Sequence, residues 1–325
     1  MTLTLSPALK ALLDDGVGFD AEYGRRLSSH RSMALLALAR LGAPAERLLQ
    51  FEAAYSRRLR PAPPAQEWPA GEPWASRLGD AASWPAYRHL FWHWLASEDA
   101  HEVLRQALPA LMQGCGGAAF HGLIRTAYAV QAQHHQELAD ALAHWACAWL
   151  DLGPPAEGPE ADAEAVLRAL PVVESSAGLI AERLAAAAAD TRFMAAAARL
   201  HVGGGTLRRL ATLAAEAYAA SGNFTGLHLV TSAHALRVLL PYIEDPLPSV
   251  ALYARAFLAG VCVARLQVAP PAPLLPWPQI VRRALASDDD HVIKLVDSAC
   301  EQRAAYGGAV WQRAASRAVS GAVAV

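Results

Sequence analysis

The chain has little lysine, little cysteine and almost nothing that reads as a β-strand. Only Lys10 and Lys294 are lysines among 28 basic residues, and 30 acidic residues bring the formal net charge to −2. No basic field exists to hold a phosphate backbone, so nucleic acid is not an expected partner. The 4 cysteines, Cys115, Cys147, Cys262 and Cys300, stand far apart. They make no C-x-x-C pair for zinc and are too sparse for a disulfide scaffold, which leaves ordinary buried thiols. The opening residues MTLTLSPALKALLDD lack the charged start and apolar core of a secretory signal. The most apolar stretches, 185–189 and 250–263, are alanine-rich or broken by Tyr253 and Arg255. None gives the ~20 uninterrupted apolar residues that span a bilayer, so the expectation is a cytoplasmic protein without a membrane partner. Neither a G-x-G-x-x-G fingerprint nor a P-loop occurs, and Gly203-Gly204-Gly205 lies between helical patterns, not after a strand.

What is present is helix. Hydrophobic residues make up 54% of the 325, ample for a large core. Residues 31–41 place Met33, Leu36, Ala37 and Leu41 at helical spacing, and Gly42 with Pro44 stops them. Similar patterns predict helices over 45–59, 84–94, 100–112, 161–170, 179–200, 207–220, 225–242, 247–265, 280–286 and 288–306. Residues 120–150 read as one long helix or two abutting ones. Asp288 is the expected N-cap of the 288–306 helix, with Asp289 and Asp290 suited to its positive end. Proline breaks the pattern at 61–73 and 270–278, and GPPAEGPE at 153–160 is the best candidate for a subdomain junction. Alternating strand patterns and Asn-Gly hairpins are almost absent. The expected fold is all-α, an array of antiparallel helix pairs joined by short loops.

Chemistry is to be sought among the 12 histidines. His291 and Lys294 are three residues apart, about 60° around a helix and so nearly on one face. A rare lysine set among Val292, Ile293, Leu295 and Val296 is either a buried functional amine or a surface group lying along an apolar stripe. His121 follows Gly116-Gly117 and opens an apolar helix, as a ligand or as a ring bonded to backbone. His30 stands before another apolar helix, where capping is the alternative. His228 and His234 share a helix but lie about 120° apart, so they do not easily serve one centre. His134-His135 sit in the polar run QAQHHQE and read as a solvated face, while His89, His93, His101, His144 and His201 receive no role. Trp74, Tyr128, Trp145 and Tyr242 read as core before pocket, and Arg125 as a substrate-orienting group or a partner of an acid.

Several stretches carry a family resemblance. SSHRSMALLALARLGA at 28–43 is similar to the amino-terminal signature of questin oxidase-like proteins, in which a histidine precedes a helix ending in Leu-Gly-Ala. WASRLGDAASWPAYRHLFWHWL, GGAAFHGLIRTAYAV and ELADALAHWA resemble that family's middle region, and NFTGLHLVTSAHALRVLLPY and DDDHVIKLVDSA its carboxy-terminal signatures. The segments come in the family's order and cover most of the chain, which departs from the fungal pattern at Arg31-Ser32 and is more compact. The resemblance implies one helical domain over 1–325, with a subdomain junction near 151–162. It implies an O₂-dependent oxidoreductase acting on a small aromatic, quinone or polyketide compound, with NADPH as electron donor. It also implies a non-haem iron held by His30, His121, His228, His291 and a carboxylated Lys294, whose carbamate would supply an anionic oxygen that its helix otherwise lacks. His228 fits the Leu-His-x-Val-Thr signature better than His234, which is left a supporting or structural place. Two other readings stay open: a metal-dependent hydrolase, and a helical scaffold that keeps the family's shape without its site.

Overall fold

Several helices here begin where a side chain holds free backbone amides. The computed structural model describes residues 4–155, 157–160, 162–174 and 178–321. Helix α1 (Pro7–Gly16) starts on the Ser6 hydroxyl, which accepts from Leu9 N, with Pro7 pre-set at its first position. A two-residue hairpin, β1 (Glu22–Tyr23) against β2 (Leu27–Ser28), leads into α2 (Arg31–Arg40). The helix expected over 45–59 is α3 (Ala45–Tyr55), tightening to a 3₁₀ turn at Ser56–Arg58. Next come α4 (Trp84–Ser97) and α5 (Ala100–Gln113), the latter capped by Asp99.

Residues 120–150 resolve into two helices, α6 (His121–Ala132) and α7 (His135–Ala148). The break falls at Gln133, whose φ of 51° is left-handed, and at His134, whose ring accepts from Glu137 N to cap α7. Helix α8 (Ala163–Ala169) follows, and the helix expected over 179–200 is also two, α9 (Ile180–Ala188) and α10 (Thr191–Ala197). Asp190 separates them because its carboxylate accepts from the Arg192 and Phe193 amides and starts a new helix. The remainder is α11 (Thr206–Ser221), α12 (Phe224–Leu239), α13 (Pro246–Ala264), α14 (Trp277–Ala286), α15 (Asp290–Tyr306) and α16 (Val310–Ser320). Helices α1 and α16 were not expected from the sequence. The cap of α15 is Asp289, which accepts from the His291 and Val292 amides, while Asp288 reaches out to Arg47.

Consecutive helices pack as pairs, α6 on α7, α11 on α12 and α15 on α16. At the centre α2, α6, α12 and α15 close a ring, each packed on the next. Every residue of α6 is buried, as expected of a helix apolar all round. Helix α13 spans 19 residues and, despite Tyr253 and Arg255, is by length and composition long and apolar enough to cross a membrane; 78% of its most apolar window is buried inside the protein. The buried apolar residues form one cluster running from Leu9 to Ala318 that includes Leu152 and Val166 on either side of the 153–160 segment. Two residues of the proposed 151–162 junction, 156 and 161, lie outside the described residues.

Candidate metal centre

The four central helices bring their amino-terminal ends together. His30 precedes α2, His121 opens α6, His228 lies near the start of α12 and His291 near the start of α15. Their rings form a closed set with centroids 4.5 Å apart for His30–His121, 5.0 Å for His121–His228, 5.6 Å for His228–His291 and 4.6 Å for His291–His30. The structure thus gathers all four predicted histidines. It also adds Asp290, which the sequence pattern assigned only to the helix dipole.

Their hydrogen bonds fix which nitrogen of each ring carries the proton. His121 Nδ1 faces the Ala118 carbonyl and His228 Nδ1 lies 2.9 Å from the Phe224 carbonyl, and a carbonyl can only accept. Both δ nitrogens are therefore N–H donors. His30 Nδ1 lies 2.5 Å and His291 Nδ1 3.0 Å from the same oxygen, Asp290 Oδ1, which makes them donors to an ionised carboxylate. All four ε nitrogens are left with bare lone pairs. His30 Nε2 and His121 Nε2 nevertheless stand 2.6 Å apart, and His291 Nε2 is buried with no partner. Two lone pairs at that distance repel unless a cation or a proton lies between them.

The rings themselves resist protonation. Burial, then the charge of Lys294, depress the pKa of His30 to about 3, against the pull of Asp290. Burial and neighbouring histidines hold His121 and His228 well below the ordinary imidazole range. Four helix amino termini add a positive field of the same sense. Burial pushes Asp290 up, but His30 and the imidazole N–H donors overcome it and hold the carboxyl well below its usual range. An imidazole set whose outer nitrogens are tied to a carboxylate and to carbonyls is the usual preparation for a metal ion. Imidazole donors suit a transition metal such as iron, zinc or copper, and among the described residues the ligand atoms that all lie within 4.8 Å of one another are those of His30, Asp290 and His291.

Lys294 sits one turn beyond Asp290 on α15, fully buried, with Nζ 3.9 Å from Asp290 Oδ1. Burial lowers its pKa to about 8, partly offset by Asp290 and Asp289. The surface alternative for this lysine is excluded. The expectation that its helix lacks a carboxylate at the site is corrected by Asp290. The alternative of His30 as a side-chain cap also fails, since its ring makes no capping bond and is spent on Asp290 and His121. For His121 the two readings coincide, because its backbone bond is what frees Nε2.

The approach to His121 is strained. Ala118, Ala119 and Phe120 have φ of 44°, 56° and 68°, a left-handed run that costs side-chain-bearing residues roughly 1–2 kcal/mol each. Gly117 allows it, because a Cβ there would lie 1.8 Å from the Ala148 carbonyl oxygen. The run aims the Ala118 carbonyl at His121 Nδ1 and carries Ala118 and Ala119 to the wall of a cavity of about 1100 Å³. The four histidines line the buried end of that cavity, with Phe224 and Trp149 beside them.

Other expectations shift. His134 is buried, not solvated: Nδ1 accepts from Glu137 N and Nε2 lies 3.0 Å from Asp14 Oδ1. His234 stays outside the ring of imidazoles, its Nδ1 3.3 Å from Arg237 Nη2. Arg125 takes the second of its two roles, pairing with Glu137 at 2.6 Å. Tyr128 and Trp145 are core, and none of Trp74, Tyr128, Trp145 and Tyr242 lines the cavity.

A family model described as questin oxidase-like matches residues 27–199 and 181–299. The chain belongs to the questin oxidase-like family. The matched residues of this questin oxidase-like chain include all four histidines, Asp290 and Lys294. Membership suggests an oxidase. No curated protein matches the chain.

Proposed function

We propose that this questin oxidase-like chain is an O₂-dependent oxidoreductase acting at a non-haem metal centre on an aromatic, quinone-like or polyketide compound. The observation that carries the reading is the close approach of the His30 and His121 ε nitrogens, 2.6 Å apart, among four imidazoles that line a cavity of about 1100 Å³. His30, His121, His228 and His291 would hold the metal, which the family resemblance makes iron. When bound, such a metal supplies the electron-transfer chemistry that amino-acid side chains lack. Asp290 holds the tautomers of His30 and His291, and the Ala118 and Phe224 carbonyls hold those of His121 and His228. Phe224 and Trp149 give a flat ring system an apolar surface against which to lie, and the buried end of the cavity excludes bulk water.

Lys294 enters the same reading as a carbamate. Its neutral amine would bond the carbon of CO₂ and release one proton, leaving an anionic oxygen donor beside Asp290. What supports this is the burial of the Lys294 side chain, with Asp290 Oδ1 at 3.9 Å as its nearest charged partner among the described residues. NADPH is the proposed electron donor. The oxidase reading is preferred to a hydrolase because family membership favours it.

The test is metal analysis of the purified protein together with NADPH and O₂ consumption in the presence of an anthraquinone. The expected result is about one transition-metal ion per chain in the parent protein, and loss of both metal and turnover in His121→Ala. A chain that binds no transition metal, and is not activated by adding any, would end the proposal.

A further inference from the structure

The cavity is not uniform from end to end. Four histidines bring imidazole to its lining, and three arginines, Arg26, Arg183 and Arg265, bring positive charge. Arg183, on α9, and Arg265, immediately after α13, both line it. They are close enough for the charge of Arg265 to add to burial in lowering the pKa of Arg183. Arg183 Nε is buried without a hydrogen-bond partner among the described residues. Among the described residues neither guanidinium reaches a carboxylate, unlike Arg31, Arg40, Arg88 and Arg125, each of which is paired with one.

Two acids also line the cavity, and each is engaged elsewhere. Glu182 accepts from Leu179 N at the start of α9, and Glu22 lies in the field of Arg26. Arg265 is moreover held in the left-handed region, at φ 47°, where a side-chain-bearing residue is disfavoured. Like charges set side by side, one with a buried idle donor, make a site that is completed by an anion. Tyr23, Trp149 and Phe224 add aromatic surface to the same cavity. A planar ring carrying one acidic group matches that combination of surfaces.

We propose that Arg183 and Arg265 form an anion subsite for a carboxylate, so that the substrate is an aromatic carboxylic acid whose ring system extends toward the four histidines. This rests on the aromatic-substrate reading above and adds the acid to it. Lengthwise, the cavity then sets orientation: the carboxylate anchors at the mouth, and the far edge of the ring faces the metal centre.

The test measures binding to the full-length purified chain, by quenching of tryptophan emission, with anthraquinone-2-carboxylate and its neutral carboxamide. The parent protein is expected to prefer the acid, and the preference to shrink as salt rises. Arg183→Gln and, separately, the exposed-site change Arg265→Gln are each expected to cut the preference by about tenfold, the loss of one charge-assisted contact. Circular dichroism confirms that each variant is folded. Equal binding of acid and amide by the parent, or a preference that survives both substitutions, overturns the subsite while leaving the aromatic reading intact. Failure of the parent to bind either probe overturns both. Inorganic phosphate displacing the acid at lower concentration than benzoate does would replace the carboxylate with a phosphate ligand and also overturn the proposal.

Discussion

Asp290 and Asp297 lie two helical turns apart on α15, both buried, both facing other helices of the central ring, and they do different work. Asp297 accepts from Tyr128 Oη at 2.8 Å and Arg40 Nε at 3.0 Å, and Arg40 also reaches Glu301. Neither Tyr128 nor Arg40 lines the cavity. Burial raises the Asp297 carboxyl to about 6 in spite of Arg40. Asp290 also accepts from two donors, but each is an imidazole with a second nitrogen that faces the cavity. Tyr128 and Arg40 tie Asp297 into the packing between helices, whereas an imidazole passes orientation through to its other side. That is why one carboxylate reads as structural and the other as part of a site.

Substitution can break this contrast. Asp297→Leu leaves Arg40 buried with only Glu301, and is expected to cost about 3–5 kcal/mol of stability in urea unfolding. Metal content per folded chain should not change. Asp290→Asn is expected to lower metal affinity about 10–100-fold, or about 1.4–2.7 kcal/mol, in competition with a chelator. If Asp290→Asn destabilised the fold but left metal affinity intact, the two aspartates would be equivalent and the distinction would fall. A further expected effect is in pH dependence. His144 has no hydrogen-bond partner on either nitrogen, and burial with the charge of Arg125 lowers its pKa to about 3. Its unfolded value is about 6.5, so the unfolded chain binds its proton first and stability falls as pH drops from about 6.5 toward 3. His144→Leu should flatten that limb of the stability curve relative to the parent and leave stability above pH 7 with a shallower change.

The helical class and most helix positions follow from periodicity and stop signals, since an amphipathic or apolar stripe repeats in sequence as it does in space. The break at Asp190 was missed, and 120–150 was left open between one helix and two, because a single left-handed residue or a side-chain cap interrupts a helix without interrupting its apolar pattern. His291 with Lys294 was legible from spacing and from the rarity of lysine, whereas His30, His121 and His228 rested on the family resemblance. In space the shortest contact is between His30 and His121, 91 residues apart, a pairing that no local spacing encodes. Asp290 escaped because three successive aspartates at a helix start look alike in sequence. The chain direction at the cap decides that Asp289 holds amides, Asp288 meets Arg47 outside, and Asp290 turns inward.

By itself the sequence determined an all-helical chain with histidines at the starts of apolar helices and one lysine embedded among aliphatic residues. Only the tertiary structure decided that four of those starts meet at one point. It also decided that carbonyls and Asp290 face the δ nitrogens, so that the His30 and His121 ε nitrogens come 2.6 Å apart. The physical reason is that periodicity fixes which face of a helix is buried, whereas the axial position at which neighbouring helices align depends on packing of the whole core.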